Sequence, residues 1–242
     1  MRAWGGGLIM LLSAAGVILA PQAAQAQTKP KSEASAPHAY VGLGVGQGKG
    51  DLDAGDLAPW NVEPRLATAL GLPPGSLAGT LGKSSHELDI GAKVFAGYRS
   101  HRFFAIEAGY ANLSASRGFK VDYQGYGALA GQNLYGKYYV DAWPIAAVGL
   151  FAIPKLPAPS VCGKAGAAYT TARLELDSPA YGSVVNDKKG KFNPLLGAGA
   201  QYDFGQHWAA RLDYEWYGEV GDATSTGRTQ ASLFTLNGLY KF

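Results

Sequence analysis

Trp208-Ala209-Ala210-Arg211-Leu212-Asp213-Tyr214-Glu215-Trp216 alternates without a break. Trp208, Ala210, Leu212, Tyr214 and Trp216 fall on one side. Ala209, Arg211, Asp213 and Glu215 fall on the other. Successive side chains of a β-strand point to opposite faces. The stretch therefore predicts a strand with one apolar face, aromatic at its ends, and one small or charged face. The same period returns along the chain from Ala39. Val41, Leu43 and Val45 alternate with glycines. Leu88, Ile90, Ala92, Val94 and Ala96 oppose Asp89, Gly91, Lys93, Phe95 and Gly97. Phe104–Ala111, Pro194–Phe204 and Phe234–Phe242 repeat the pattern. Two more strands are expected near 137–151 and 161–176. Trp143-Pro144 obscures the faces of the first. In the second, Lys164, Gly166 and Ala168 oppose Ala165, Ala167 and Tyr169.

That makes eight strands. A soluble sandwich gives the same alternation, so the polar face has to decide. Here it carries Gly and Ala with a few charges, which suits a crowded interior. An eight-stranded barrel is just wide enough inside for side chains to fill. The opposite face presents Leu, Val, Ile and Ala to lipid, with Trp208, Tyr214 and Trp216 as interface aromatics. The reading is an all-β, antiparallel, up-and-down transmembrane barrel of eight strands over 39–242.

Composition agrees. Charged residues are 16% of the 242-residue chain, against roughly 25% in soluble domains. Glycine, at 34 residues, is about twice its usual ~7% share. A net charge of +3 without basic clusters argues against nucleic-acid binding. The single Cys162 rules out an internal disulfide and reads as a small buried lumen residue. A mean hydropathy of −0.05 excludes a bundle of membrane helices.

The N-terminus predicts export. Arg2 precedes an uncharged run, Gly5–Ala20, and Ala24-Gln25-Ala26 offers a small-x-small cleavage site. Residues 1–26 read as a signal peptide and 27–38 as a flexible segment. No lipobox cysteine follows, so no lipid anchor is expected.

Connections are expected to alternate in length. Ser100-His101-Arg102, Ala152–Ser160 and Gly205-Gln206-His207 are short turns. Gly48–His86, Ser114 to about Gly136, Asp177–Lys191 and Gly218 to about Gln230 read as long loops. Such asymmetry places turns on the periplasmic side and loops outside the cell. Within the first loop, Asn61–Leu70 predicts a short helix with Pro64 in its first turn.

These residues resemble a family. Phe95-Ala96-Gly97-Tyr98-Arg99 and Phe104-Ala105-Ile106-Glu107-Ala108-Gly109-Tyr110 resemble the second hairpin of OmpA-like transmembrane barrels. Gly163-Lys164-Ala165-Gly166 resembles their fifth strand, and Ala210–Trp216 their seventh. Tyr240-Lys241-Phe242 resembles the terminal aromatic signature, carried by Tyr240 and Phe242, that the barrel-assembly machinery reads. The resemblance implies a monomer in the Gram-negative outer membrane, among its lipid and lipopolysaccharide. Family members that bind peptidoglycan carry a further periplasmic domain, which is not seen here, so no such binding is expected. Family lumens pair glutamates with an arginine and a lysine. Glu107, Lys164 and Arg211 match such positions, whereas Gln201 stands where Glu is often found.

Glu107, Lys164, Arg211, Asp213, Glu215 and Lys241 all take the lumen phase. Charges in a narrow lumen should pair. The network either plugs or gates a small pore, or stabilises the barrel. Catalysis has one candidate, Ser85-His86-Glu87, but neighbouring strand residues diverge. No paired-histidine spacing suggests a metal. Gly42–Gly50 lacks the Ser/Thr of a phosphate loop, since Gly50 follows Lys49. Neither catalytic residues nor a cofactor are expected. The expected function is structural, with adhesion-like surface contacts to an unidentified ligand through the loops. A low-conductance porin and a lipid-modifying enzyme are the alternatives.

Overall fold

The computed structural model describes residues 37–51, 59–153, 159–222 and 225–242, with side chains left out at 59–61. The expected signal peptide, 1–26, and nearly all of 27–38 lie outside the described residues. In chain order the elements are β1 (His38–Asp51), α1 (Pro59–Ala69), β2 (Leu81–His86), β3 (Leu88–His101), β4 (Phe104–Asn112), β5 (Phe119–Gly125), β6 (Leu134–Ala152), β7 (Pro159–Ser178), β8 (Gly182–Asp203), β9 (Trp208–Asp222) and β10 (Gly227–Lys241). All strands join one antiparallel sheet. Eight of them close a ring: β1, β3, β4, β6, β7, β8, β9 and β10, with β10 pairing back onto β1.

β2 and β5 lengthen that wall. β2 leads into β3, and β5 follows β4 after a short turn. β5 pairs with β2 on one side and with the first part of β6 on the other. The Trp143-Pro144 strand now has faces. Tyr138, Val140, Ala142, Ala146, Val148 and Leu150 point inward, while Trp143, Ile145 and Phe151 are exposed. Pro144 interrupts the ladder to β4 without slipping it: Ala108 faces Ile145 and Ala111 faces Ala142 in the same register.

The outer surface is a band of exposed Leu, Ile and Val, with Leu43 at 69%. Tyr98, Phe104, Phe151, Tyr202, Phe204, Trp208 and Phe242 ring the short-turn end. Trp143, Tyr169 and Phe192, which are register partners, mark the other. The paired rings lie close: Tyr169–Phe192 centroids are 5.1 Å apart, Trp208–Tyr240 5.0 Å. This is the double aromatic girdle of a membrane barrel.

Three expected long loops are largely strand. β7 runs on to Ser178 and β8 restarts at Gly182, so Asp177–Lys191 is a tight hairpin. β9 extends to Asp222 and β10 begins at Gly227. Ser114–Gly136 contains β5, and β6 already begins at Leu134. The cause is a reversal of polarity along one strand. In β7, Val161 and Tyr169 face out and Lys164 faces in. Farther along, Leu174 and Leu176 face in while Arg173 and Asp177 face out. The phase never changes; the solvent does. In lipid the apolar side faces out, and in water it faces in.

The same reversal corrects the expected small, charged interior. Charge is concentrated in the middle, with one further pair, Lys241–Asp203, at the short-turn mouth. Beyond the middle, Phe119, Val121, Leu134, Tyr138, Leu174, Leu176 and Leu233 fill the raised part of the barrel. α1 caps this core with Val62, Leu66 and Ala67. Its span exceeds the expected Asn61–Leu70 at the start, so Pro64 sits inside the helix. The helix stops where Gly71 turns left-handed (φ +69°). There Leu72 N–H bonds Ala67 C=O and Gly71 N–H bonds Thr68 C=O, which satisfies its last carbonyls. Arg65 Nη2 reaches Asp187 Oδ2 of β8 at 2.8 Å.

Candidate functional site in the lumen

Three cations and three carboxylates meet at mid-height. Strand alternation aims them inward: Lys93 from β3, Glu107 from β4, Lys164 from β7, and Arg211, Asp213 and Glu215 from β9. Arg211 grips Glu107 with both arms, Nη1–Oε1 2.6 Å and Nη2–Oε2 3.0 Å. Its Nε donates to Asp213 Oδ2 at 3.1 Å. Lys164 Nζ lies 2.9 Å from Asp213, 2.8 Å from Glu215 and 3.0 Å from Glu107. Lys93 Nζ bridges Asp213 at 2.8 Å and Glu215 at 2.9 Å.

Neutral groups complete the shell. Tyr40 OH donates to Glu107 Oε1 at 2.7 Å, and Tyr217 OH to Glu215 Oε2 at 2.8 Å. Asn237 Nδ2 donates to Asp213 Oδ2 at 3.1 Å. Beneath lies Phe95, with Arg211, Lys93 and Lys164 at 4.8, 5.1 and 5.6 Å from its ring centre. Cations over an aromatic face are attracted by its quadrupole. Glycine makes the room. A Cβ on Gly42 would overlap the Phe95 ring, and one on Gly97 the Tyr40 ring.

Five of the six expected lumen charges come together: Glu107, Lys164, Arg211, Asp213 and Glu215. Lys241 does not join them. It pairs with Asp203 at 3.0 Å at the short-turn mouth, where Gln201 also bonds Asp203. Lys93, Tyr40, Tyr217 and Asn237 were missed. Lys93 already stood in the polar phase of its strand, so the alternation alone could have found it. Trp208, Tyr240 and Phe242 cluster at the short-turn rim. Tyr214 is exposed on the outer face, between the inward Asp213 and Glu215, and Trp216 is half-buried.

The cluster has few chemical options. Each carboxylate is held by at least two cations. The space beside Lys93, Glu107, Lys164 and Glu215 is about 20 Å³, enough for one water. Cys162 Sγ lies 4.0 Å from Asp213, within a smaller apolar layer with Tyr40, Phe95 and Leu150. Ser85 faces the side of buried Val121, and His86 is opposite exposed Lys120. The two therefore diverge. Among the described residues no group of three or more His, Cys, Asp or Glu is placed to hold a metal.

Comparisons with known proteins follow this geometry. Outer membrane protein A of Serratia marcescens is 24% identical over 164 residues, covering 65% of this chain and 41% of that protein. The Shigella flexneri protein of the same name is 25% identical over 159 residues, 65% and 42% covered. The chain thus spans about two-fifths of the length of the curated relatives it matches. Among solved structures it is similar to Ail of Yersinia pestis, with 14% identity, a TM-score of 0.47, and 86% of this chain and 100% of that one covered. It is also similar to neisserial surface protein A, with 13% identity, a TM-score of 0.46, and 84% and 97% covered. Residues 34–242 match the OmpA-like transmembrane domain. With eight strands closed in a ring and wrapped in an apolar band, the chain belongs to that family of outer-membrane β-barrels.

Proposed function

We propose that the protein is a closed structural barrel of the Gram-negative outer membrane, whose raised wall and α1 form an adhesion-like contact surface. The filled lumen carries this reading. A paired charge layer blocks the middle, and an apolar core under α1 blocks the outer end. An ion would have to break several buried pairs and then cross an apolar plug, which argues against a standing pore. On this reading the chain is exported by its signal peptide and inserted by the barrel-assembly machinery through the Tyr240-Lys241-Phe242 signature. It then stays monomeric in outer-membrane lipid and lipopolysaccharide.

Planar-bilayer recording on the folded, purified protein tests the closed barrel. No discrete current steps are expected, and regular steps would overturn it. The surface role is tested by displaying the full chain, with and without the hairpin tip between Leu174 and Lys188, on cells that lack it. Attachment to host-cell monolayers should fall without the tip. Equal attachment would sink the adhesion-like part alone.

A further inference from the structure

β8 and β9 separate at the outer girdle. From the short turn their ladder runs without a slip, from Asp203 opposite Ala209 to Leu196 opposite Trp216. Phe204 N–H donates to Trp208 C=O at 2.9 Å, which sets the phase: even-numbered residues of β8 turn their N–H and C=O groups toward β9. The next such position is Pro194, which has no N–H to give. Gly218 lies against it in the left-handed region (φ +66°), where a Cβ would sit 3.2 Å from Pro194 Cδ. Beyond this point β9 pairs with β10 through a register shift at Gln230/Ser232. β8 runs on beside β7 as far as Gly182.

β8 is therefore left with an open edge. Phe192, Gly190, Lys188 and Asn186 continue the even phase, so their backbone groups face the side that β9 has left. From Asn186 to Phe192 this edge runs about 20 Å. Among the described residues no other strand pairs there, and no loop or helix gives it a backbone hydrogen bond. α1 reaches β8 through the Arg65 and Asp187 side chains, not through this edge. Phe192 stands in the girdle with its partner Tyr169, so the edge rises away from the membrane on the side opposite the short turns.

An unmet strand edge is a template for another strand. Its charge says which. Lys188, Lys189 and Lys191 lie within it, and its carboxylate, Asp187, is occupied by Arg65 at 2.8 Å. Glu175, opposite Asn186, is also the partner of Lys137 and lies 3.7 Å from Arg173. A second copy of the same strand would set lysines near lysines, and like charges destabilise a strand pair. An acidic segment meets the opposite charge along the whole edge.

We propose that β8, from Asn186 to Phe192, is a docking edge for an extended acidic segment of another protein, which adds to the sheet as one more strand. Backbone hydrogen bonds hold the segment, and the lysines select its charge. This edge is the contact element of the adhesion-like surface proposed above, and rests on that reading.

Fluorescence anisotropy of the labelled peptide TVEVEVT tests this on the folded barrel in neutral detergent, with TVKVKVT as the basic control. The wild type should bind the acidic peptide and not the basic one. K188P removes one donor from the open edge and spares the ladder to β7, because the Lys188 N–H points away from β7. It should weaken binding about fivefold or more, the worth of one hydrogen bond. N186P should do the same, which covers failure of K188P to fold; the heat-dependent shift on SDS gels reports folding. K188Q/K189Q/K191Q should abolish the preference for the acidic peptide. Bound peptide should slow hydrogen exchange at Lys188 and Gly190 but not at Lys189, whose N–H already faces β7. No binding of the acidic peptide by the wild type, unchanged binding in the folded proline variants, or unchanged exchange at Lys188 and Gly190 would each overturn the edge. On displaying cells, attachment lost with the hairpin tip but kept in K188P would overturn the edge alone and leave the surface role standing.

Discussion

Arg211 and Glu107 are 104 residues apart in sequence and joined by two hydrogen bonds of 2.6 and 3.0 Å, with exposures of only 1% and 5%. Each makes the burial of the other tolerable. Arg211→Ala would leave Glu107 with Lys164 and Tyr40, and Asp213 with two lysines and Asn237. Breaking a buried pair from one side typically costs about 3–5 kcal/mol. The residual partners place the expected loss near the lower end. Urea titration read by tryptophan fluorescence should show a lowered midpoint, and an unchanged midpoint would refute the network's stabilising role. Arg211→Met with Glu107→Gln should cost less than Arg211→Ala, since no full charge is then left at Glu107.

α1 is held by its apolar face more than by its ion pair. The Arg65–Asp187 bridge is partly exposed, with side chains 38% and 21% accessible. Arg65→Ala should therefore cost at most about 1 kcal/mol. Leu66 is fully buried. Leu66→Asp should release the cap, because an unpaired charge cannot stay in that core. Limited proteolysis should then cut near 59–80, while the heat-dependent shift on SDS gels survives. Resistance to protease in Leu66→Asp would show that the cap does not depend on this contact.

Glycine in the lumen and glycine on the wall should behave differently. Gly97→Val would drive a side chain into Tyr40 and disturb its bond to Glu107. Overpacking of this kind costs about 1–3 kcal/mol. Gly163 has open space where a Cβ would go. Gly163→Ala should leave the unfolding free energy from urea titration within about 0.5 kcal/mol of wild type, as surface changes generally do. Similar losses in both variants would contradict the inward assignment.

Alkali should loosen the raised wall before the membrane band. Burial among apolar neighbours pushes the Tyr123 phenol up to about 12. A group whose folded pKa is raised contributes stability that is complete below its unfolded value, ~10, and is lost as pH rises toward the folded one. Hydrogen exchange in β5 should therefore quicken as pH climbs from about 10 to about 12, relative to β9 at each pH. Tyr123→Phe should remove that differential, and its persistence would assign the loosening to another group.

The membrane band was legible because lipid enforces alternation. Trp208–Trp216 carries its strand, its faces and three lumen charges in one short run. Closure into a ring of eight also followed from counting such runs. The expected strand near 161–176 already reached Leu174 and Leu176; the raised wall was hidden on the facing strand, where the polar run Asn186–Lys191 read as loop although Val185 turns inward. Lys93 was passed over although its phase was right, because its partners lie on β9, and sequence spacing does not show which strands meet across a lumen. Lys241 shared the phase but not the height, and alternation carries no height. The register of β5 against β6 needed the structure, since it is set by the connection 126–133 between them.

The seam between β1 and β10 has a consequence for timing. Tyr40 pairs with Lys241, and Phe242 N–H reaches Ala39 C=O at 3.0 Å, so the first and last strands complete each other. Every other junction in the ring joins ring strands that follow one another along the chain, with no strand but β2 or β5 between them. A barrel lacking this junction would expose two rows of unmet backbone groups to hydrocarbon, which has no water to satisfy them. Partial assemblies therefore gain little, and the gain arrives with the final closure. Assembly becomes nearly all-or-none, and the moment of greatest vulnerability is the interval before Phe242 finds Ala39.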